Sequence, residues 1–247
     1  MSDTVRLLGL DFADLDAAAA AQRVAARPAD APFAYVVTPN ADHLLRLGHD
    51  PVLANVYRNA GLCLLDSRVV AGAARMLGLP TPHVAPGSDL TALLLSRHLQ
   101  AGECVTIVGL PPAWLPGLVT RCGLARPAHC NPPMGFAADR VAFAATVDFV
   151  LAHPARFVFL AVGSPQQEVL AATIAATGRA TGTGLCVGAS LEFLAGARHR
   201  APLWMQRCGL EWLFRLGSDP GRLAKRYLAD IAVLCRLLAE SRDAGRE

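Results

Sequence analysis

Short, almost wholly apolar runs recur along the chain, separated by stretches in which apolar residues return every three or four positions. The short runs fall at residues 5–10, 33–38, 62–66, 104–109, 127–130, 157–163 and 185–188. They lack the apolar/polar alternation of a half-exposed strand and suit strands buried on both faces. The stretches between them predict helices over 14–26, 41–47, 51–59, 69–77, 90–99, 113–122, 140–152 and 166–177. Start signals agree: Asp50 stands ready to cap a helix opened by Pro51, Ser88-Asp89 precede the fifth helix, and Pro165 precedes the eighth. Strand alternating with helix implies a parallel sheet covered on both faces, so residues 1–195 are expected to form a Rossmann-like α/β domain. Ligands of such folds sit beyond the carboxyl ends of the strands. After about residue 195 the pattern changes. Two helical stretches, 202–216 and 220–238, follow each other with no strand between, which predicts a C-terminal helical appendage over 196–247.

The 247 residues are 53% hydrophobic and 17% charged, with a mean hydropathy of +0.35, which excludes an intrinsically disordered chain and allows a sizeable core. The longest uncharged stretch, 104–120, is interrupted by Pro111, Pro112 and Pro116, so no membrane-spanning helix is expected. The N-terminus carries acids and lacks the basic-then-apolar order of a signal peptide. The net charge of +3 conceals a division. Residues 1–195 hold 13 Arg against 14 acids, a sum of −1, and residues 196–247 hold 10 Arg+Lys against 6 acids, a sum of +4. From Arg198 to Arg226, seven basic residues face only Glu211 and Asp219. That asymmetry suits an anionic partner, whether phosphate, membrane surface or nucleic acid, and equally suits a solvated helix face. The seven cysteines include no C-x-x-C pair and mostly lie in apolar runs. They read as small buried hydrophobes in a reducing compartment, neither a disulfide frame nor a zinc site.

Candidate chemistry lies where the strands stop. The second run ends in Thr38-Pro39-Asn40 and the third in Asp66-Ser67-Arg68. An Asp there serves either as a general base or as a helix cap, and Asn40 likewise either lines a pocket or caps. Gly109, Gly163 and Gly188 close three further runs, the second continuing Ser164-Pro165-Gln166-Gln167-Glu168. Glycine turns of this kind let a ligand approach the backbone, and the helix that follows offers unpaired N–H groups to a diphosphate. None forms a G-x-G-x-x-G, and G-x-x-x-x-G-K-[ST], H-E-x-x-H and G-x-S-x-G are all absent. The seven histidines are scattered, so no metal site and no resident cofactor are expected, and Asp14-Leu-Asp16 reads as helix capping.

The C-terminal blocks Arg200-Ala-Pro202 and Gly209-Leu-Glu-Trp-Leu213, continuing to Asp219-Pro220-Gly-Arg222-Leu-Ala-Lys-Arg226, closely resemble the signature of the WecG/TagA/CpsF glycosyltransferases. Thr38-Pro39-Asn40, Asp66, Gly87-Ser-Asp89, Gly163 to Glu168 and Gly188 agree with that family in order and spacing, over residues 5–230. The resemblance implies an inverting, metal-independent transfer from a UDP-sugar to a polyprenyl-diphosphate-linked sugar, at the cytoplasmic face of the membrane, in surface polysaccharide synthesis. It implies a base role for Asp66 and acceptor contacts for Thr38 and Asn40, with Arg68 beside them. Gly109, Gly163, Pro165, Gln167, Glu168 and Gly188 fall in turns expected around the UDP-sugar donor. Arg215, Arg222 and Arg226 match appendage arginines that grip lipid-linked diphosphate. The chain departs from the family where Ser67-Arg68-Val69 replaces a Gly-x-Gly pattern, where Gln166 replaces a lysine, and where Leu191-Glu192 replaces Phe-Asp.

Other classes weigh less. A nucleotide-binding oxidoreductase lacks its glycine fingerprint here, and 6% aromatic residues with a −1 body give nucleic acid no stacking platform. A nucleotide-sugar-binding scaffold that has lost catalysis stays open because of the altered neighbours of Asp66, and self-association as a homo-oligomer is not readable from the pattern.

Overall fold

The computed structural model describes residues 4–197 together with 233, 235–237 and 239. Strands β1 (Thr4–Leu7) and β2 (Leu10–Ala13) pair antiparallel, so the single strand expected over 5–10 is instead a hairpin. Its two-residue turn, Leu8-Gly9, has φ of 51° and 77°, the double left-handed geometry of a tight hairpin turn. Periodicity hides such a turn when the residue that bends, Leu8, is itself apolar and buried.

The remaining strands form one parallel sheet among the described residues. They are β3 (Ala34–Val37), β4 (Leu62–Cys63), β5 (Thr106–Gly109), β6 (Ala128–Cys130), β7 (Phe157–Ala161) and β8 (Thr183–Cys186), in spatial order β4-β3-β8-β7-β5-β6. The helices are α1 (Ala17–Ala25), α2 (Ala41–Leu47), α3 (Pro51–Arg58), α4 (Arg68–Met76), α5 (Gly87–Leu93), α6 (Leu115–Cys122), α7 (Arg140–Ala152), α8 (Gln166–Ala176) and α9 (Ser190–Ala195). Short polar side chains start several of them. Asp16, Asn40, Asp50, Ser67 and Asp139 each accept hydrogen bonds from first-turn N–H groups, satisfying donors that have no partner within the helix. Of the acid pair read as capping, Asp16 caps α1 and Asp14 instead accepts from the backbone and ring of His83. α5 starts three residues earlier than expected and passes into a π-helical segment, Leu94–His98.

Two cores result, one on each face of the sheet. The first gathers Leu44, Tyr57, Val70, Val147, Leu170 and Ile174, from α2, α3, α4, α7 and α8. The second gathers Ala20, Val24, Leu90, Leu118 and Leu191, from α1, α5, α6 and α9. Val233 and Leu237, one helical turn apart, are fully buried in the first core, and Arg236 Nη1 donates to Leu44 O at 2.9 Å. That guanidinium satisfies a carbonyl near the end of α2. Most of the proposed appendage, including Arg215, Arg222 and Arg226, lies outside the described residues.

The amino edge of the sheet is tied by Arg156. Its guanidinium bonds both oxygens of Glu103 at 2.7 Å and donates to Ala25 O at 3.1 Å and His98 O at 2.6 Å. It thus neutralises a half-buried acid and caps the carboxyl ends of two helices. An open cleft of about 580 Å³ beside it is lined by Arg27, Gln100, Glu103 and Arg156, at the edge remote from the strands' carboxyl ends.

Candidate active site

Neighbouring strands whose following helices leave to opposite faces open a crevice at their carboxyl ends. β3, β4 and β7 send α2, α4 and α8 to one face, and β5 and β8 send α6 and α9 to the other. Crevices therefore open between β3 and β8, between β8 and β7, between β7 and β5, and, since α7 after β6 joins the first face, between β5 and β6.

On one side of this edge stand the acceptor-side candidates. The chain continues beyond β4 in extended form. Leu64 N–H donates to Val37 O at 3.0 Å, Ala85 N–H to Leu65 O at 2.9 Å, and Asp66 N–H to Pro39 O at 3.0 Å. Asp66 is thereby held beside the turn after β3, half-buried. It does not cap α4, a task taken by Ser67, whose Oγ accepts from Val70 N–H at 3.2 Å. Asp66 Oδ2 instead receives the Gly87 N–H at 3.4 Å, at the start of α5. Gly87 also presses on Thr38: a Cβ at position 87 would lie 2.8 Å from Thr38 Oγ1. Thr38 is buried, and its hydroxyl donates to Cys186 O across the β3–β8 crevice at 3.5 Å. Thr38, Asp66 and Gly87 are thus three walls of one corner. Gly87 appeared in the sequence only as part of a motif, and its tight approach to Thr38 is what marks it.

Asn40 caps α2, its Oδ1 accepting from Asp42 N–H at 3.1 Å and His43 N–H at 3.3 Å. Its acceptor is committed to the helix, and the side-chain NH₂ is not part of that cap. Arg68 opens α4 and is exposed.

The donor-side candidates separate into two kinds. Gly109 has φ of 95°, and a Cβ there would lie 2.5 Å from Ala161 O, so glycine is demanded by the β5–β7 approach itself. His129 Nε2 reaches both Gly109 O, at 3.0 Å, and Leu110 O, at 2.9 Å. Two carbonyls can only accept, so this nitrogen carries the proton and pins the turn. Gly163, with φ of 82°, has nothing within 4 Å of a notional Cβ and lines open space at the start of α8. Pro165 follows it as the residue before α8.

Gln167 and Glu168 point inward instead. They are 3% and 1% exposed, and Gln167 Nε2 donates to Glu168 Oε1 at 2.8 Å while Gln167 Oε1 accepts from Gly188 N–H at 2.9 Å. Around them the environment is dry. Burial first, and then the Glu168 charge, push the Tyr57 hydroxyl and the Cys186 thiol well above their ordinary values. Ser164 Oγ lies 3.5 Å from Tyr57 Oη and accepts from Arg46 Nη1 at 3.3 Å. Sequence reading took Ser164 only as part of the turn and missed Tyr57 and Arg46, because residues on three separate elements meet only in the fold. Among the described residues no group of three or more His, Cys, Asp or Glu is arranged to hold a metal ion.

A doubly wound parallel sheet with a carboxylate, a hydroxyl and a capping amide at one carboxyl edge, and glycine turns at the adjoining strands, defines a Rossmann-like α/β enzyme fold. The model of the glycosyl transferase WecG/TagA/CpsF family matches residues 5–247, essentially the whole chain, and the protein belongs to that family. It is therefore a glycosyltransferase of surface polysaccharide biosynthesis, a family that works with a nucleotide-sugar donor and a lipid-linked acceptor. No helix among the described residues is long and apolar enough to cross a membrane.

Proposed function

We propose that this chain transfers a hexose-type sugar, with inversion, from a UDP-sugar to a sugar carried on polyprenyl diphosphate, without a metal ion. The observation that carries the proposal is the corner formed by Thr38, Asp66 and Gly87 at the carboxyl edge of the sheet. A sugar hydroxyl is a poor nucleophile at neutral pH, and Asp66 supplies the base that accepts its proton as the new glycosidic bond forms. One in-line displacement inverts the anomeric centre and needs no enzyme nucleophile. The bond from the anomeric carbon to the UDP oxygen breaks, and its electron pair leaves with UDP. Gly163, Pro165 and the first turn of α8 receive the diphosphate, whose growing charge is met by backbone N–H groups and the helix dipole. Gly109 and Gly188 shape the adjoining turns, and Gln167 and Glu168 act from beneath. Thr38, Asn40 and Arg68 line the acceptor side, and Arg215, Arg222 and Arg226 grip the lipid-linked diphosphate through bidentate contacts. The basic segment brings the protein to the inner face of the cytoplasmic membrane as a peripheral protein. N-acetylmannosamine, its uronic acid, glucose and glucuronic acid are the donors to test.

The test is UDP release from a panel of UDP-sugars with a short-chain polyprenyl-diphosphate acceptor, for the native chain and Asp66→Asn. General-base loss predicts a fall of about 10² to 10⁴ in turnover. Full activity in Asp66→Asn would refute the base assignment, and no transfer by the native chain under any pairing would favour the binding scaffold. Membrane contact is tested on the full chain by flotation with anionic vesicles, native against Arg215→Glu/Arg222→Glu/Arg226→Glu. Equal flotation of the two would refute the contact. Truncation near residue 195 is the wrong variant, because it strips Val233 and Leu237 from the core.

A further inference from the structure

The turns after β7 and β8 form two walls of the crevice, and they are joined by a relay of side chains as well as by the sheet. Gln167 is the centre of that relay. Its main chain is fixed, with N–H donating to Gly163 O at 2.9 Å and its carbonyl accepting from Cys186 Sγ at 3.6 Å. Its side chain has one donor end and one acceptor end, and each faces a group of fixed character. The NH₂ faces the Glu168 carboxylate and the oxygen faces the Gly188 N–H. Turning the amide over would set oxygen against carboxylate and NH₂ against N–H, so both contacts would become repulsive. Glu168 and the Gly188 N–H together decide which way Gln167 points.

Glu168 itself is expensive to keep. It is 1% exposed, and among the described residues its buried Oε2 has no hydrogen-bond partner. A buried carboxylate oxygen left unpaired opposes folding, and an apolar side chain at this helix position would avoid that cost. Its Oε1 accepts from Gln167 Nε2, the contact that orients that amide, and its charge also bears on the Tyr57 hydroxyl.

We propose that Glu168 is a positioning residue for the nucleotide-sugar donor. Through Gln167 it holds the Gly188 N–H inward and fixes the gap between the turns at Gly163 and Gly188 into which the donor diphosphate fits. The proposal rests on the reading of this crevice as the donor site. It also reassigns Gln167 and Glu168: they set the shape of the crevice from beneath and do not touch the donor.

The experiment uses the full-length chain, ¹⁵N-labelled, as native protein, Glu168→Ala, Glu168→Gln and Gln167→Met. Two quantities are measured, hydrogen exchange of the Gly188 amide and the dissociation constant for UDP. Losing one buried hydrogen bond accelerates exchange of its donor by about tenfold, so Gly188 in Glu168→Ala and Gln167→Met should exchange about tenfold faster, with core amides such as Ile174 unchanged. UDP binding should weaken by about the same factor in both. Glu168→Gln keeps an oxygen that can accept from Gln167 Nε2, and it should restore both Gly188 protection and UDP affinity to within about threefold of native. Should Glu168→Ala fail to fold, Gln167→Met, which keeps volume and removes the relay, carries the test. Unchanged Gly188 exchange in Gln167→Met or Glu168→Ala overturns the relay. Equal loss in Glu168→Gln and Glu168→Ala overturns orientation as the role of Glu168. Failure of the native chain to bind UDP at all removes the donor reading, while Gly188 exchange still judges the relay.

Discussion

Gly87→Ala tests whether the corner holding Asp66 is as tight as it looks. The added Cβ would sit 2.8 Å from Thr38 Oγ1, against 3.4 Å for the shortest ordinary contact, a shortfall of 0.6 Å. Thr38 cannot easily retreat, since it is buried and its hydroxyl is bonded to Cys186 O. Overpacking of this kind costs about 1–3 kcal/mol. Alanine regains about 1 kcal/mol over glycine within a helix, which leaves a net loss of about 0–2 kcal/mol. For a chain of this size that is a fall of up to about 8 °C in Tm. The N–H from Gly87 to Asp66 is already long at 3.4 Å, so any backing-off of α5 breaks it and lowers UDP release together with stability. Thermal and urea unfolding followed by circular dichroism are the assays, run as a cycle with Thr38→Ala. That second change removes Oγ1, the atom the new Cβ would strike, so the double variant should recover about 1 kcal/mol relative to the sum of the singles. A Gly87→Ala protein as stable as native, with no coupling to Thr38→Ala, would refute the reasoning.

Three further expectations can be checked alongside. Burial alone would raise Glu103, but the Arg156 hydrogen bonds, the Gln100 N–H and the Arg156 charge outweigh it and hold the carboxyl below its usual 4.5. Its folded value being depressed, its contribution is full above 4.5 and fades as pH falls through the lower folded value. Glu103→Gln should therefore cost about 1–3 kcal/mol in urea unfolding at pH 7, with the gap to native closing toward pH 3. Gly109→Ala combines a left-handed φ with a 2.5 Å clash and should cost about 2–5 kcal/mol, whereas Gly163→Ala, with open space around it, should cost about 1–2 kcal/mol in stability, yet weaken UDP binding. Peptide mapping after brief iodoacetamide treatment of native protein should find Cys104 and Cys235 alkylated. Cys63 and Cys186, buried and with thiols pushed upward by burial, should stay unmodified until the protein unfolds.

The parallel strands were legible because burial on both faces leaves nearly continuous apolar runs, as in Phe157–Ala161 with its first four residues buried. The glycine turns and the polar residues at strand ends were legible for the same reason, since each interrupts such a run. What stayed hidden depends on contacts between distant segments. Asp66 could have capped the helix that follows it, but the fold hands that task to Ser67 and turns Asp66 toward Gly87, 21 residues away. Gln167 and Glu168 looked like turn residues facing a ligand, yet the first turn of α8 directs both into the core. A hydrophobicity pattern has no means of announcing an inward carboxylate. The Leu8-Gly9 reversal escaped because an apolar residue carried the bend.

The sheet order β4-β3-β8-β7-β5-β6 has a consequence for synthesis on the ribosome. β8, the last made of the described strands, bridges β3 on one side and β7 on the other. Until Cys186 has emerged, β3–β4 and β7–β5–β6 are two separate fragments, each presenting an unpaired edge that is central in the finished protein. Such edges invite pairing with other chains. Premature termination or slow translation before residue 183 should therefore yield aggregates rather than a shortened enzyme. The nascent chain becomes safe only when β8 slots between the halves and Val233 and Leu237 close over the first core.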